Sequence, residues 1–232
     1  MPTVLAIAAS GATSSVCLRV GVLPPLHWRS TTVNQQSEQL LPAIQEVLKQ
    51  AGIACPDVIA VDIGPGAFTS VRMVVAVAQG LALGWGCGVV AVNSLQSMAQ
   101  TLAVADGEAI VTALDARMSE CYVAAYQMQA GLLSETHAPQ LVSYADLATW
   151  ATQVQYLIGN GADVVPNWQT IAPTVYNAQP EAAGVLAVFD VMQSSGNLTL
   201  LLPEDLQPVY VRNTVAFTSA ERAAQKLAQA VA

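Results

Sequence analysis

Residues Val58–Leu83, VIAVDIGPGAFTSVRMVVAVAQGLAL, decide the fold. Val58–Ile63 is a short β-branched run of the kind that forms a buried strand. Gly64-Pro65-Gly66 halts it: the glycines supply backbone freedom and the proline fixes one φ angle between them. From Thr69 onward the residues favour helix, with Thr69 or Ser70 placed to cap its first turn. Met73–Leu83 is apolar on every side apart from Gln79. A helix without a polar face has to bury two sides. Its own sheet can cover one, and the other needs a second partner.

Upstream, Thr3–Ile7 and Ser15–Val20 read as a hairpin turned at Ala9-Ser10-Gly11-Ala12, with Leu26–Thr32 a third strand. Ser37–Ala51 carries Leu40, Leu41, Ile44, Val47, Leu48 and Ala51 on one stripe, which predicts an amphipathic helix ended by Gly52. Pro42 requires that helix to begin near Gln39 or to bend there. Downstream, Gly84–Gly88 reads as a turn, Val89–Asn93 as a buried strand and Ser94–Ala103 as a helix capped by Ser94. Asp106-Gly107-Glu108 marks a boundary between lobes at 1–105 and 106–232. The opening pattern then recurs as strand Ala109–Asp115, turn Ala116–Glu120 and strand Cys121–Met128. The rest of the second lobe is thinner. It offers a helix at Tyr144–Ala151, a strand at Tyr156–Ile158, a helix at Glu181–Ser194, a strand at Leu206–Val211 and a helical tail at Ser219–Val231.

The 232 residues are 53% hydrophobic and 10% charged, with a formal net charge of −8. Such a chain is not expected to hold a phosphate backbone by itself. The uncharged run between Arg72 and Asp106 is long enough to raise a membrane span, but Gly80, Gly84, Gly86 and Gly88 break it into a helix and a strand. No membrane association is expected, and the N-terminus carries no basic segment of a signal peptide. Cys17, Cys55, Cys87 and Cys121 form no CxxC pair and read as small hydrophobes of a reducing compartment, so the cytoplasm is the expected location. His27 and His137 have no metal-ligand spacing, and no metal is expected.

Several segments together resemble the TsaB (YeaZ-like) family, the non-catalytic partner in threonylcarbamoyladenosine tRNA modification. They are SEQLLPAI at Ser37–Ile44, IGPGAFTSVR at Ile63–Arg72, VAQGLALG ending at Gly84, VNSLQSMAQ at Val92–Gln100, ALDARMSECYVAAY at Ala113–Tyr126 and PVYVRNTVAF at Pro208–Phe217. The resemblance implies an α/β fold of two ribonuclease-H-like lobes, as in the actin-like ATPase and sugar-kinase superfamily, with the second lobe reduced. It implies a scaffold that binds the catalytic subunit TsaD, works with the ATPase TsaE, reaches tRNA only through the complex and has no catalytic residues of its own. A homodimer of the isolated chain is a further candidate assembly. The interface implied by the resemblance runs over the two helices and takes in Leu40, Leu41, Ile44, Arg72, Val75, Ala76, Gln79, Gly80 and Leu83. On the second helix, the row Arg72, Val75, Ala76, Gln79, Gly80 and Leu83 is expected to face outward, and Val71, Val74, Ala78, Leu81 and Ala82 to face the sheet.

Three positions depart from the family pattern: Ala8 where an aspartate is usual, Gln36 for a histidine and Ser70 for a glycine. Ala8 weakens the alternative, an independent ATP-dependent kinase or ATPase of the actin-like class. That alternative would place Gly64, Pro65, Gly66, Thr69 and Asp115 near nucleotide, with Asp62 and Asp115 facing a metal. On the scaffold reading this chain alone binds no cofactor, and ATP belongs to an interface shared within the complex. Peptidase activity finds no activated nucleophile, metal site or carboxylate pair in the sequence.

Overall fold

The computed structural model describes residues 1–32, 35–151 and 154–212. Its first sheet contains β1 (Val4–Ala8), β2 (Ser15–Arg19), β3 (Leu26–Arg29), β4 (Val58–Asp62) and β5 (Gly88–Val92) in the order β3-β2-β1-β4-β5. β1–β2 and β2–β3 are antiparallel, and β1–β4 and β4–β5 parallel. The second sheet repeats this plan with β6 (Ala109–Arg117), β7 (Glu120–Gln129), β8 (Leu132–Ser143), β9 (Tyr156–Gly159) and β10 (Thr174–Asn177). Its order is β10-β9-β6-β7-β8, again three antiparallel strands followed by two parallel ones. This is a duplicated ribonuclease-H-like sheet plan, one copy in each half of the chain. The economy of the second half lies in its helices, α4 (Leu147–Ala151) having only five residues.

Side chains alternate across a strand, so β1 and β4 serve two cores at once. Leu5, Ile7, Ile59 and Val61 point to one face, where α1 (Gln36–Ala51) and α2 (Phe68–Trp85) bury Leu40, Ile44, Val47, Val74, Ala78 and Ala82. Val4, Ala6, Ala8, Val58 and Ala60 point to the other, under Val185, Val188 and Phe189 of α5 (Ala182–Ser194). Burial on both faces is why Val58–Asp62 is a continuous apolar run with a lone carboxylate at its end. Arg19 of β2 pairs with Asp190 of α5. α3 (Ser94–Ala99) packs Leu95 and Met98 against Ile110, Leu114 and Tyr126 of the second sheet. A cut at 105/106 therefore separates the strands of the two sheets but not the helices, because α3 covers the second sheet and α5 returns to the first.

Several local expectations need correction. Neither Thr69 nor Ser70 caps α2; Ala67 holds the N-cap position and no side chain bonds the first amides. α3 is capped by Asn93, whose Oδ1 accepts the Leu95 amide at 2.8 Å, because the Ser94 hydroxyl is drawn inward to Asp62. α3 also stops at Ala99, the chain tightening into i→i+3 bonds at Thr101 and Leu102. β8 and β10 have no counterpart in the sequence reading. Both are edge strands with largely open side chains, and β8 contains Pro139, so neither shows apolar alternation. Leu206–Val211 forms no strand: Val209 donates to the Ile63 carbonyl at 2.8 Å, but Pro208 has no N–H to extend a ladder. The tail expected at Ser219–Val231 lies outside the described residues.

Candidate partner interface

Successive turns of α2 place Phe68, Arg72, Ala76, Gly80 and Gly84 four residues apart, all of them exposed. Leu83 stands beside the last of them at 67% exposure, and Phe68 at the other end is 58% exposed. Beyond Arg72 the row is small, Ala76 and Gly80 leading to Gly84 beside Leu83. A Cβ added at Gly80 or Gly84 would meet nothing within 4 Å. Glycine inside a helix costs about 0.5–1 kcal/mol relative to alanine, and no contact within the described chain calls for the missing side chain.

At the N-terminal end of this row, the Arg72 guanidinium lies 3.7 Å over the Phe68 ring and 5.4 Å from the ring of Tyr210. Arg72 Nε donates to the Tyr210 hydroxyl at 2.7 Å, and the two rings sit 5.8 Å apart. Tyr210 is itself 49% exposed. Half-buried Gln79 turns from the row and donates Nε2 to the Leu206 carbonyl at 3.0 Å. Sequence reasoning missed Phe68 and Tyr210. The i, i+4 spacing of Phe68 and Arg72 was the available signal for the first; Tyr210 reaches the site only through the fold.

Of the interface residues named from sequence, Arg72, Ala76, Gly80 and Leu83 are exposed on α2 and Leu41 is exposed on α1. Leu40, Ile44 and Val75 must be withdrawn from that surface, since all three are buried in the core beneath the helices. The spacing explains it. Val75 belongs to the row Val71, Val75, Ala78, Ala82, and Leu40 and Ile44 to the row continued by Val47 and Leu48; both rows face the sheet.

Of the nucleotide-proximal candidates, Gly64, Pro65 and Gly66 are packed against their own chain. Gly64 (φ 94°) and Pro65 are buried, joined by a cis peptide bond. A Cβ at Gly66 would fall 2.5 Å from the Ser10 carbonyl, and the Ala67 amide donates to that carbonyl at 2.9 Å. In the β1–β2 turn, the Ala12 amide donates to Gln179 Oε1 at 3.0 Å, while Gln179 Nε2 donates to Thr13 Oγ1 at 2.8 Å. Thr69 is exposed on the first turn of α2. Asp115 accepts the Tyr144 hydroxyl and the Arg117 amide, each at 2.7 Å, and pairs with the Arg117 guanidinium at 3.3 Å.

Asp62 faces no opening either. It is fully buried; Oδ1 accepts the Ser94 hydroxyl and the Gly64 amide (3.2 Å), and Oδ2 accepts the Ser10 hydroxyl and amide (3.1 Å). Burial pushes its carboxyl above the ordinary range, against the opposing pull of these hydrogen bonds. The metal-facing role considered for Asp62 is thus replaced by a structural clasp joining the β1–β2 turn, β4 and α3. Among the described residues no group of three or more His, Cys, Asp or Glu is placed to hold a metal. Burial pushes the Cys17 and Cys121 thiols up to about 12, which leaves neither as a ready nucleophile.

The β6–β7 turn is held in a costly shape. Arg117, Met118 and Ser119 have φ of 63°, 58° and 60°, and the left-handed region costs roughly 1–2 kcal/mol for each residue other than glycine. Besides Asp115, which accepts the Arg117 amide, a side chain distant in sequence grips it: Arg212 Nη2 donates to the Ala116 carbonyl at 2.9 Å and pairs with Glu120 at 2.8 Å.

Comparison with known proteins adds to this picture. A family model described as TsaD, tRNA N6-adenosine threonylcarbamoyltransferase, matches residues 15–230. The chain is 29% identical over 211 residues to the tRNA threonylcarbamoyladenosine biosynthesis protein TsaB of Escherichia coli strain K12, covering 82% of this chain and 90% of that protein. It is 32% identical over 146 residues to the protein of the same description from Bacillus subtilis strain 168, covering 62% and 63%. Among solved structures, YeaZ from Pseudomonas aeruginosa superposes with a TM-score of 0.75 at 30% identity, covering 90% of this chain and all of that one (100%).

Proposed function

We propose, from the premise that this chain belongs to the TsaB (YeaZ-like) family, that it is a non-catalytic scaffold subunit in threonylcarbamoyladenosine synthesis on tRNA. It binds a TsaD homologue through the outward face of α2, with Leu41 of α1 at the margin. The observation that carries this reading is the row Ala76, Gly80, Gly84, framed by Phe68 and Leu83. Two glycines weaken the helix with no internal contact in return, as expected where a second helix comes close.

Threonylcarbamoyl transfer belongs to the TsaD homologue, and a TsaE homologue joins the full complex in the cytoplasm. tRNA is held by the complex, because a chain of net charge −8 has little to offer phosphates. ATP belongs to an interface shared within the complex. In isolation the same face pairs two copies of this chain, so homodimer and heterodimer exclude each other. Against an independent kinase or ATPase stand Ala8, the buried Asp62 and a β1–β2 turn whose Ala12 amide is taken by Gln179.

The test is co-purification of the tagged chain with a TsaD homologue from the same cell, followed by reconstitution of tRNA modification. A stable equimolar complex that is needed for modification supports the scaffold reading. ATP turnover by the isolated chain that vanishes in Asp115→Ala would overturn it.

A further inference from the structure

The segment Leu206–Arg212 touches both sheets' surroundings in seven residues. Leu206 is fully buried in the core beneath α2, and its carbonyl accepts from Gln79. Val209 is fastened to Ile63 at the end of β4. Tyr210 then stands against Arg72 and Phe68 on the exposed end of α2. Two residues later, Arg212 grips the β6–β7 turn at the Ala116 carbonyl and Glu120, its Nη1 lying 3.1 Å from the Met118 sulfur.

We propose that Leu206–Arg212 is a strap coupling the outward end of α2 to the β6–β7 turn, so that displacing Tyr210 loosens the turn. Two residues of extended chain span about 7 Å, so Tyr210 cannot move far without carrying Arg212. The turn is suited to respond, because three consecutive residues other than glycine are held in the left-handed region and Arg212 is one of the groups that hold them, beside Asp115 on the Arg117 amide and the Tyr144 amide on the Ser119 carbonyl. Phe68, Arg72 and Tyr210 are all exposed, so a macromolecule seated on α2 competes directly for the Arg72–Tyr210 bond. The trigger rests on the partner reading above, whereas the strap itself does not.

Amide hydrogen exchange of peptides spanning 115–121 in the isolated full chain tests the strap. Arg212→Gln removes the grip and is expected to speed exchange about tenfold. Tyr210→Ala leaves Arg212 in the chain but frees the other end, and is expected to speed exchange at the same peptides several-fold while the β1 and β4 peptides stay unchanged. If Arg212→Gln leaves the turn as protected as before, the grip is overturned. If Tyr210→Ala leaves it protected although Arg212→Gln does not, the coupling is overturned. A TsaD homologue added to the wild-type chain should speed exchange at the turn, and this response should be lost in Tyr210→Ala. Binding without that change overturns the trigger and leaves the scaffold reading standing. Absence of binding overturns the scaffold reading and leaves the strap to the two variants.

Discussion

Asp62 at the end of β4 accepts a hydrogen bond from the hydroxyl of Ser94, the first residue of α3, and so ties the first sheet to the helix that covers the second. Ser10 completes a ring, its hydroxyl meeting Asp62 Oδ2 and lying 3.0 Å from that of Ser94. Two hydroxyl hydrogens can serve only two of these three contacts. A proton on Asp62 serves the third, in the direction that burial already pushes the carboxyl.

The pH dependence follows. An acid whose folded-state pKa lies above its unfolded value of ~3.9 stabilises the fold fully below that value and loses the contribution as pH rises through the folded pKa. Asn at this position does not titrate, although its NH2 group opposes one of the two backbone amides that Asp62 accepts, so Asp62→Asn should start less stable and gain on wild type as pH rises above about 4. Asp62→Ala strands the Ser10 and Gly64 amides and should cost about 2–5 kcal/mol. Urea unfolding of the three proteins from pH 4.5 to 8 checks both; parallel curves for wild type and Asp62→Asn would sink the neutral-acid argument.

Ala76 and Ala78 sit two residues apart on opposite sides of α2, one exposed and one with no accessible surface. Ala78→Glu places an unpaired carboxylate in the core and should cost several kcal/mol, on the order of 3–5. Ala76→Glu should leave the melting temperature nearly unchanged but weaken association with a TsaD homologue by orders of magnitude, on the order of 100-fold or more. Thermal melts and titration calorimetry on both variants decide it. Normal binding by Ala76→Glu would remove the interface from this helix.

Gly80→Ala and Gly84→Ala separate monomer stability from association. Each fills open space on a helix, so each should stabilise the isolated monomer by about 0.5–1 kcal/mol and raise its melting temperature by roughly 2–4 °C per kcal/mol. The same methyl groups should weaken homodimer and heterodimer alike. Tighter association on analytical ultracentrifugation would contradict the close-approach argument.

Gly66 offers the opposite case. Its missing Cβ makes room for the Ser10 backbone, so Gly66→Ala should destabilise the fold by about 1–3 kcal/mol irrespective of nucleotide. Unfolding curves with and without ATP measure this. A fold of unchanged stability that has lost ATP binding would show that the glycine serves a ligand.

The architecture was legible because both hairpins and the β4–α2 unit carry strong local signals, and their recurrence at Ala109 exposes the duplication. The edge strands β8 and β10 were not, since a strand open to solvent has no need of alternation. At the site, spacing along α2 separated Ala76 from Ala78 correctly, but Val75 and Leu40 were assigned outward although they lie on the inner rows. Ser94 looked like a cap because serine caps helices well; only the fold reveals a buried carboxylate competing for its hydroxyl. Tyr210 and Gln179 act at a distance of 138 and 167 residues from their partners Arg72 and Ala12, a separation no local pattern encodes.

The return of α5 to the first sheet bears on how the chain is made. Val4, Ala6, Ala8, Val58 and Ala60 are finished early in synthesis, yet Val185, Val188 and Phe189, which cover them, are translated more than 120 residues after β4. Until that helix clears the ribosome, one side of the nascent sheet stays bare and adhesive. A release of the chain before residue 182 therefore yields a sticky half-product, however complete its first five strands are.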